Sequence, residues 1–229
     1  MKKGFTLSEV LITLGIIGIV SVLTIPSIMK NYRNRLYVAQ LKKIQAQISD
    51  AAVSMMNDEN VSTFSETKIG VNCPAGTADI DCPSGLQYFF NQYFKVIKHD
   101  CGTGKDNSCV AGATTYKHLD GSGSLSMPDT YCVQTVNGPT ICSFYNPGNK
   151  CLSMIVDVNA QAEPNTIGRD VFSMDMHQDG SIADYASGCT NDNYGCVAGT
   201  CNNNKTGSIY DIACGCYNTV KDAGWEITY

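Results

Sequence analysis

From Phe5 to Ile25 the chain runs for twenty-one residues with a single charge, Glu9. Wound as a helix at about 1.5 Å per residue, that run matches a hydrocarbon core about 30 Å thick. A chain carrying such a run must bury it or give it to lipid. A lone carboxylate near its start is costly unless something pairs with it. The flanks are not those of an ordinary secretion signal. Lys2 and Lys3 form a basic start, but Gly4 precedes the apolar run and no small-x-small cleavage site follows it. This predicts a cut at the front edge that leaves the apolar helix in the mature product.

The order Gly4, Phe5, Thr6, Leu7, any residue, Glu9, then an apolar helix with Pro26 within it, resembles the type IV prepilin family, including the pseudopilins of type II secretion. The resemblance rests on about the first thirty residues. It implies that prepilin peptidase cuts between Gly4 and Phe5 and methylates the new amine of Phe5. It also implies that Glu9 recruits each subunit into a helical filament and that the helix unwinds locally at Pro26. The implied partners are other pilin or pseudopilin subunits, the peptidase and an inner-membrane assembly platform. The implied location is a single pass of the inner (cytoplasmic) membrane with the head exported, then an extracellular or periplasmic filament.

Elementary electrostatics agrees with those roles. Cleavage creates a charged amine at the membrane's edge, and a carboxylate on an incoming subunit attracts it far more strongly there than in water. Pro26 lacks an N–H and leaves the carbonyl of Val22 without its usual partner. Gly15 and Gly18 permit close approach of a second helix.

Charge is distributed unevenly. Residues 1–50 hold seven Lys or Arg against two acids, while the remainder holds nine against nineteen. An acidic head disfavours nucleic acid as a partner, because long-range attraction is absent. Lys30, Arg33 and Arg35 follow the span more densely than Lys2 and Lys3 precede it, against simple positive-inside counting. The cysteines set the orientation the other way. All twelve lie between Cys73 and Cys216, which reads as a disulfide framework in an oxidising compartment. Short loops favour Cys73–Cys82, Cys101–Cys109 and Cys189–Cys196, with Cys132–Cys142 a further candidate. Zinc at Cys196, Cys201, Cys214 and Cys216 is the competing reading, but their spacing lacks the paired two-residue gaps of common zinc sites.

Beyond the span, Tyr37, Leu41, Ile44, Ile48, Ala51 and Met55 recur in steps of four and three, so the helix is expected to continue to Asn57 with one apolar stripe. A second helix is expected over 86–97. Strands are expected over 130–136, 140–145, 152–158 and 171–176, each bounded by Gly, Pro, Asn or Asp. Asn137-Gly138-Pro139 marks a hairpin and Asp179-Gly180 a turn. The fold class expected is α+β and pilin-like: a long N-terminal helix packed on a mainly antiparallel sheet, with disulfide-rich loops. The expected divisions are a leader at 1–4, a membrane or filament-core helix at 5–29, an amphipathic extension at 30–57 and an exported head at 58–229. The Cys-, Asn- and Gly-rich stretch 187–215 is expected to have little structure without its bridges.

One head segment, Ile155 to Asn159 followed by Pro164 to Phe172, also resembles a core strand and loop of pilin-like proteins. Within it Asp157, Asn159 and Asp170 are hard oxygen donors near one loop, and pseudopilins often hold calcium in their heads. Calcium needs six to eight oxygens, and the spacing is not that of an EF-hand. A turn held by Asx hydrogen bonds is the preferred reading.

Catalysis has little support. His99, His118 and His177 lie in no metal or nucleophile motif, and no phosphate loop or serine-hydrolase elbow is present. The expected function is a structural filament subunit rather than an enzyme. The alternative is a minor tip, adhesion or DNA-uptake subunit that binds a surface ligand through its Cys-rich loops.

Overall fold

The computed structural model describes residues 4, 6–73, 77–78, 81–112, 114–185, 196, 199–201 and 207–229. The chain divides into two compact units, Met1–Leu36 and Tyr37–Tyr229. Helix α1 runs Leu7–Asp58 with Pro26 inside it.

In the first unit the apolar side chains of α1 point outward on every side. Leu7, Leu11, Ile12, Leu14, Ile19 and Leu23 are each more than half exposed. A helix apolar all round suits lipid or neighbouring helices, not water.

In the second unit α1 becomes amphipathic. Tyr37, Leu41, Ile44, Ile48, Ala51 and Met55 are all buried, the same four-three stripe that the sequence carries. The elements that follow are α2 (Gly85–Tyr93), β1 (Val96–Lys98), β2 (Tyr131–Thr135), β3 (Thr140–Asn146), β4 (Cys151–Asp157), β5 (Val171–Met176), β6 (Ile182–Asp184), α3 (Ile209–Ala213) and α4 (Cys216–Asp222). The six strands form one antiparallel sheet in sequence order. This is the pilin-like α+β arrangement, stapled by five disulfides among the described residues.

Register explains the packing. Val156, Met154 and Leu152 of β4 stand opposite Phe172, Met174 and Met176 of β5. Their alternates, Ile155 and Ser153, stand opposite Ser173 and Asp175. Every residue of β4 and β5 is buried, so both faces of the central sheet are covered. On one side the extension of α1 meets the turn after β5, where the Ser49 hydroxyl donates to the Gly180 carbonyl at 2.7 Å. Gly180 has φ +81°, a left-handed conformation that favours glycine, and a Cβ there would sit close to Val53 at 3.3 Å. On the other face Ser173 donates to the Tyr210 carbonyl of α3, and the Phe144 and Tyr210 rings meet edge to face at 5.3 Å.

One expectation needs correction here. The helix expected over 86–97 stops at Tyr93, and Val96–Lys98 forms an edge strand paired with Gln134 and Thr135. Phe94 turns extended at the helix end, and β-branched Val96 and Ile97 suit a strand. The end of the Cys-rich tail, with its bridges formed, carries α3, and α4 follows just after Gly215. Ser208 caps α3 by accepting from the Asp211 N–H. Asp184 caps α4 from a distance, accepting from the Gly215 N–H at 2.9 Å and the Asn218 N–H at 2.7 Å. A cap supplied by a residue about thirty positions upstream is invisible to local pattern reading.

Candidate functional site

The candidate site is the opening turn of α1. The Thr6 N–H and the Thr6 hydroxyl each donate to Glu9 Oε2 at 2.8 Å, and the Glu9 N–H donates to Thr6 Oγ1 at 3.3 Å. This reciprocal cap satisfies donors that a helix start leaves open, and it fixes the carboxylate at the head of the apolar run. Thr6 thus has a role beyond its place in the Gly4-to-Glu9 motif. The Thr-x-x-Glu spacing of a capping box was the signal that could have found it. Gly4 and Glu9 lie among the described residues; Phe5 lies outside them.

The rest of the segment is chemically quiet. Thr13 and Thr24 donate back to the carbonyls of Val10 and Val20, each at 2.9 Å, so their hydroxyls do not need water. α1 is long and apolar enough to cross a membrane, and none of its most apolar window is buried within the chain. Pro26 sits inside α1 without ending it. The helix therefore presents an apolar surface with one carboxylate at its start.

The bridges follow the expected local pairing in three cases: Cys73–Cys82, Cys101–Cys109 and Cys132–Cys142. The last joins directly opposed residues of β2 and β3. The expected Cys189–Cys196 pair is corrected, because Cys196 bonds to Cys214 and Cys201 bonds to Cys216. Sequence distance favoured the nearer partner, but the α3–α4 junction carries Cys214 and Cys216 on either side of Gly215 and offers both sulfurs to the tail. Cys189 lies outside the described residues, and Cys151 is also disulfide-bonded. All four sulfurs of the zinc alternative are thus in bridges. Asp184, Cys196 and Cys214 are within mutual ligand reach, but a bridged sulfur is not the thiolate that zinc takes.

Asp157, Asn159 and Asp170 are brought together where β4 ends and β5 begins. Asp157 accepts from the Tyr116 hydroxyl at 3.1 Å and from the Asn159 N–H at 3.2 Å. Asp170 accepts from the Asn165 N–H at 2.9 Å and the Thr166 N–H at 2.6 Å. Asn159 Nδ2 donates to the carbonyls of Ala162 and Glu163. N–H and O–H groups point at the carboxylate oxygens where a cation would have to sit. This donor pattern suits a hydrogen-bonded turn and does not fit a calcium shell.

Burial raises the pKa of Asp157 well above the ordinary carboxylate range, and the neighbouring Asp170 adds to it. Burial also pushes Asp170 up to about 6, against the lowering effect of the Thr166 and Asn165 N–H groups. Both groups hold their protons more tightly folded than unfolded. The contribution of Asp170 is therefore fully present below about pH 4 and is lost as pH rises through about 6, and the raised Asp157 acts with the same sign. Thermal unfolding of the full chain should show the melting temperature falling across that window, and Asp157→Asn should flatten the fall. A melting temperature that climbs steadily across the window, unchanged in the variant, would contradict this reading.

Residues 1–25 match the family model described as the prokaryotic N-terminal methylation motif. No curated protein and no solved structure matches the chain. The motif marks the type IV pilin and pseudopilin family. In this chain the motif heads an apolar helix long enough to cross a membrane, and the helix is followed by a head with a pilin-like α+β arrangement.

Proposed function

We propose that this chain is a structural subunit of a type IV pilus or a type II secretion pseudopilus. Cleavage between Gly4 and Phe5 removes Met1 to Gly4 and exposes the amine of Phe5, which is then methylated. The apolar half of α1 holds the subunit in the membrane until it enters the filament, and the head stays on the exported side. The peptidase and the inner-membrane platform act on this half, and other subunits pack against it.

The observation that carries the reading is the capped carboxylate at the head of an otherwise apolar, outward-facing helix. Thr6 holds Glu9 at the helix start, one turn from the new amine. In hydrocarbon that amine needs an anion, and Glu9 of an adjoining subunit supplies it. Pairing the first residue of one helix with the fifth residue of another fixes their axial offset. Pro26, with its missing N–H, gives a point where α1 can extend or bend as the helices pack.

A second reading, a minor tip or adhesion subunit, is favoured by the long connection between β1 and β2 and by the bridged tail. Shearing and quantitative immunoblotting separate the two. A filament-building subunit appears in the sheared fraction at hundreds of copies or more per filament, whereas a tip subunit appears at a few. A chain absent from sheared filaments and periplasmic pseudopili alike contradicts both.

A further inference from the structure

Between Glu9 and Asp50 the chain has no acidic residue, yet it carries Lys30, Arg33, Arg35, Lys42 and Lys43. Three of these follow directly on the apolar span. Lys30, Arg33 and Arg35 are exposed in the first unit, as are Tyr32 and Leu36 between and beside them. Among the described residues the one ion pair is Lys105–Asp100, so none of the three is matched by a carboxylate. At about 100° per residue Lys30 and Arg33 lie roughly 60° apart and Arg35 lies on the far side, so the charges ring the helix instead of lining one face.

We infer that residues 30–35 form a collar for anionic lipid headgroups in the leaflet on the head-domain side. The inference rests on the reading that the apolar half of α1 spans the bilayer. Twenty-five residues from Phe5 to Met29 cover about 37 Å as a helix, which takes Lys30 to the headgroup level. Headgroups surround a helix where it leaves the bilayer, so a ring of charge meets them from all sides. A protein partner would be met by one charged face, which this stretch lacks. Tyr32 adds an amphipathic ring at the depth where aromatic side chains favour the interface.

The collar also resolves the charge imbalance across the span. Two lysines on the leader oppose five cations on the other side, and processing at Gly4 would remove both lysines. Anionic lipid neutralises the excess and fixes the depth of the waiting subunit, which keeps Glu9 at its own level in the membrane. Entry into a filament then requires the collar to leave its lipid.

The test uses the full chain reconstituted in bilayer nanodiscs with spin-labelled phosphatidylglycerol or spin-labelled phosphatidylcholine as the reporter lipid. One basic side chain near an anionic surface is worth about a five-fold preference, so the labelled phosphatidylglycerol should be immobilised at least about five-fold more strongly at low salt. The preference should fall close to unity in about 0.5 M salt, where screening acts within a few ångströms. It should also fall in the Lys30→Gln, Arg33→Gln, Arg35→Gln variant. Equal immobilisation of the two lipids, or a preference that survives in the variant, overturns the collar. Self-association lost in the variant without any lipid preference would assign the charges to a second copy and also overturns it. A chain that fails to enter the nanodiscs at all overturns the membrane-spanning reading, which is a separate result.

Discussion

Glu9→Gln leaves cleavage largely intact and lowers incorporation into filaments by orders of magnitude. The substitution is a narrow one in this chain. Glutamine keeps a side-chain oxygen to accept from the Thr6 N–H and hydroxyl, so the helix cap survives. What disappears is the negative charge that, in the proposed pairing, meets the Phe5 amine of the neighbour. Breaking a buried pair by removing one partner costs about 3–5 kcal/mol, and every 1.4 kcal/mol is ten-fold in an association constant. The processed subunit therefore accumulates in the membrane and is nearly absent from the sheared fraction. Normal incorporation of the variant would remove the charge pair from the account while leaving the pilin reading in place.

Removing the Cys201–Cys216 bridge as a double serine variant lowers the melting temperature of the head by several degrees. The bridge spans 15 positions, and closing a loop of that size removes about 3 kcal/mol of unfolded-state freedom in the chain-entropy picture. For a chain of this size that corresponds to a fall of about 6–12 °C. The effect concentrates in the tail, because α3 and α4 have only five and seven residues and cannot stand as isolated helices. Thermal unfolding followed by circular dichroism measures it. An unchanged melting temperature would show that the Asp184 cap and the packing around Tyr217 hold the tail without the bridge.

The parts of this protein legible in its sequence are those written by local repetition. The apolar run, the four-three stripe from Tyr37 to Met55 and the strands around Cys142, Ile155 and Phe172 each depend on neighbours a few positions away. The Gly138 turn shows the same economy: Gly138 takes φ +108° and donates to the Thr135 carbonyl. Parts that depend on distant partners were not legible. Val96 and Ile97 become strand because Gln134 and Thr135 lie beside them. Cys196 bonds to Cys214, next to Gly215, whose N–H is held by the distant Asp184. At the candidate site Glu9 is readable from its charge in an apolar run together with the Gly4-to-Leu7 motif before it. Thr6 was not singled out, because its importance lies in hydrogen bonds rather than in a conspicuous residue type. The charge of the Asp157 and Asp170 pair was visible, but their burial was not. That burial, with donors from Tyr116, Asn165 and Thr166, supports the turn-holding reading already preferred over cation ligands.

The central claim is that the chain is trimmed at its front edge and enters a filament through the helix that remains. Intact mass and N-terminal sequencing of the chain recovered from sheared filaments test it most directly. The account predicts a subunit lacking Met1 to Gly4 and beginning at Phe5 with a methylated amine. A filament-derived chain that still carries Met1, or one that begins beyond Met29 and so lacks the apolar helix, would contradict it.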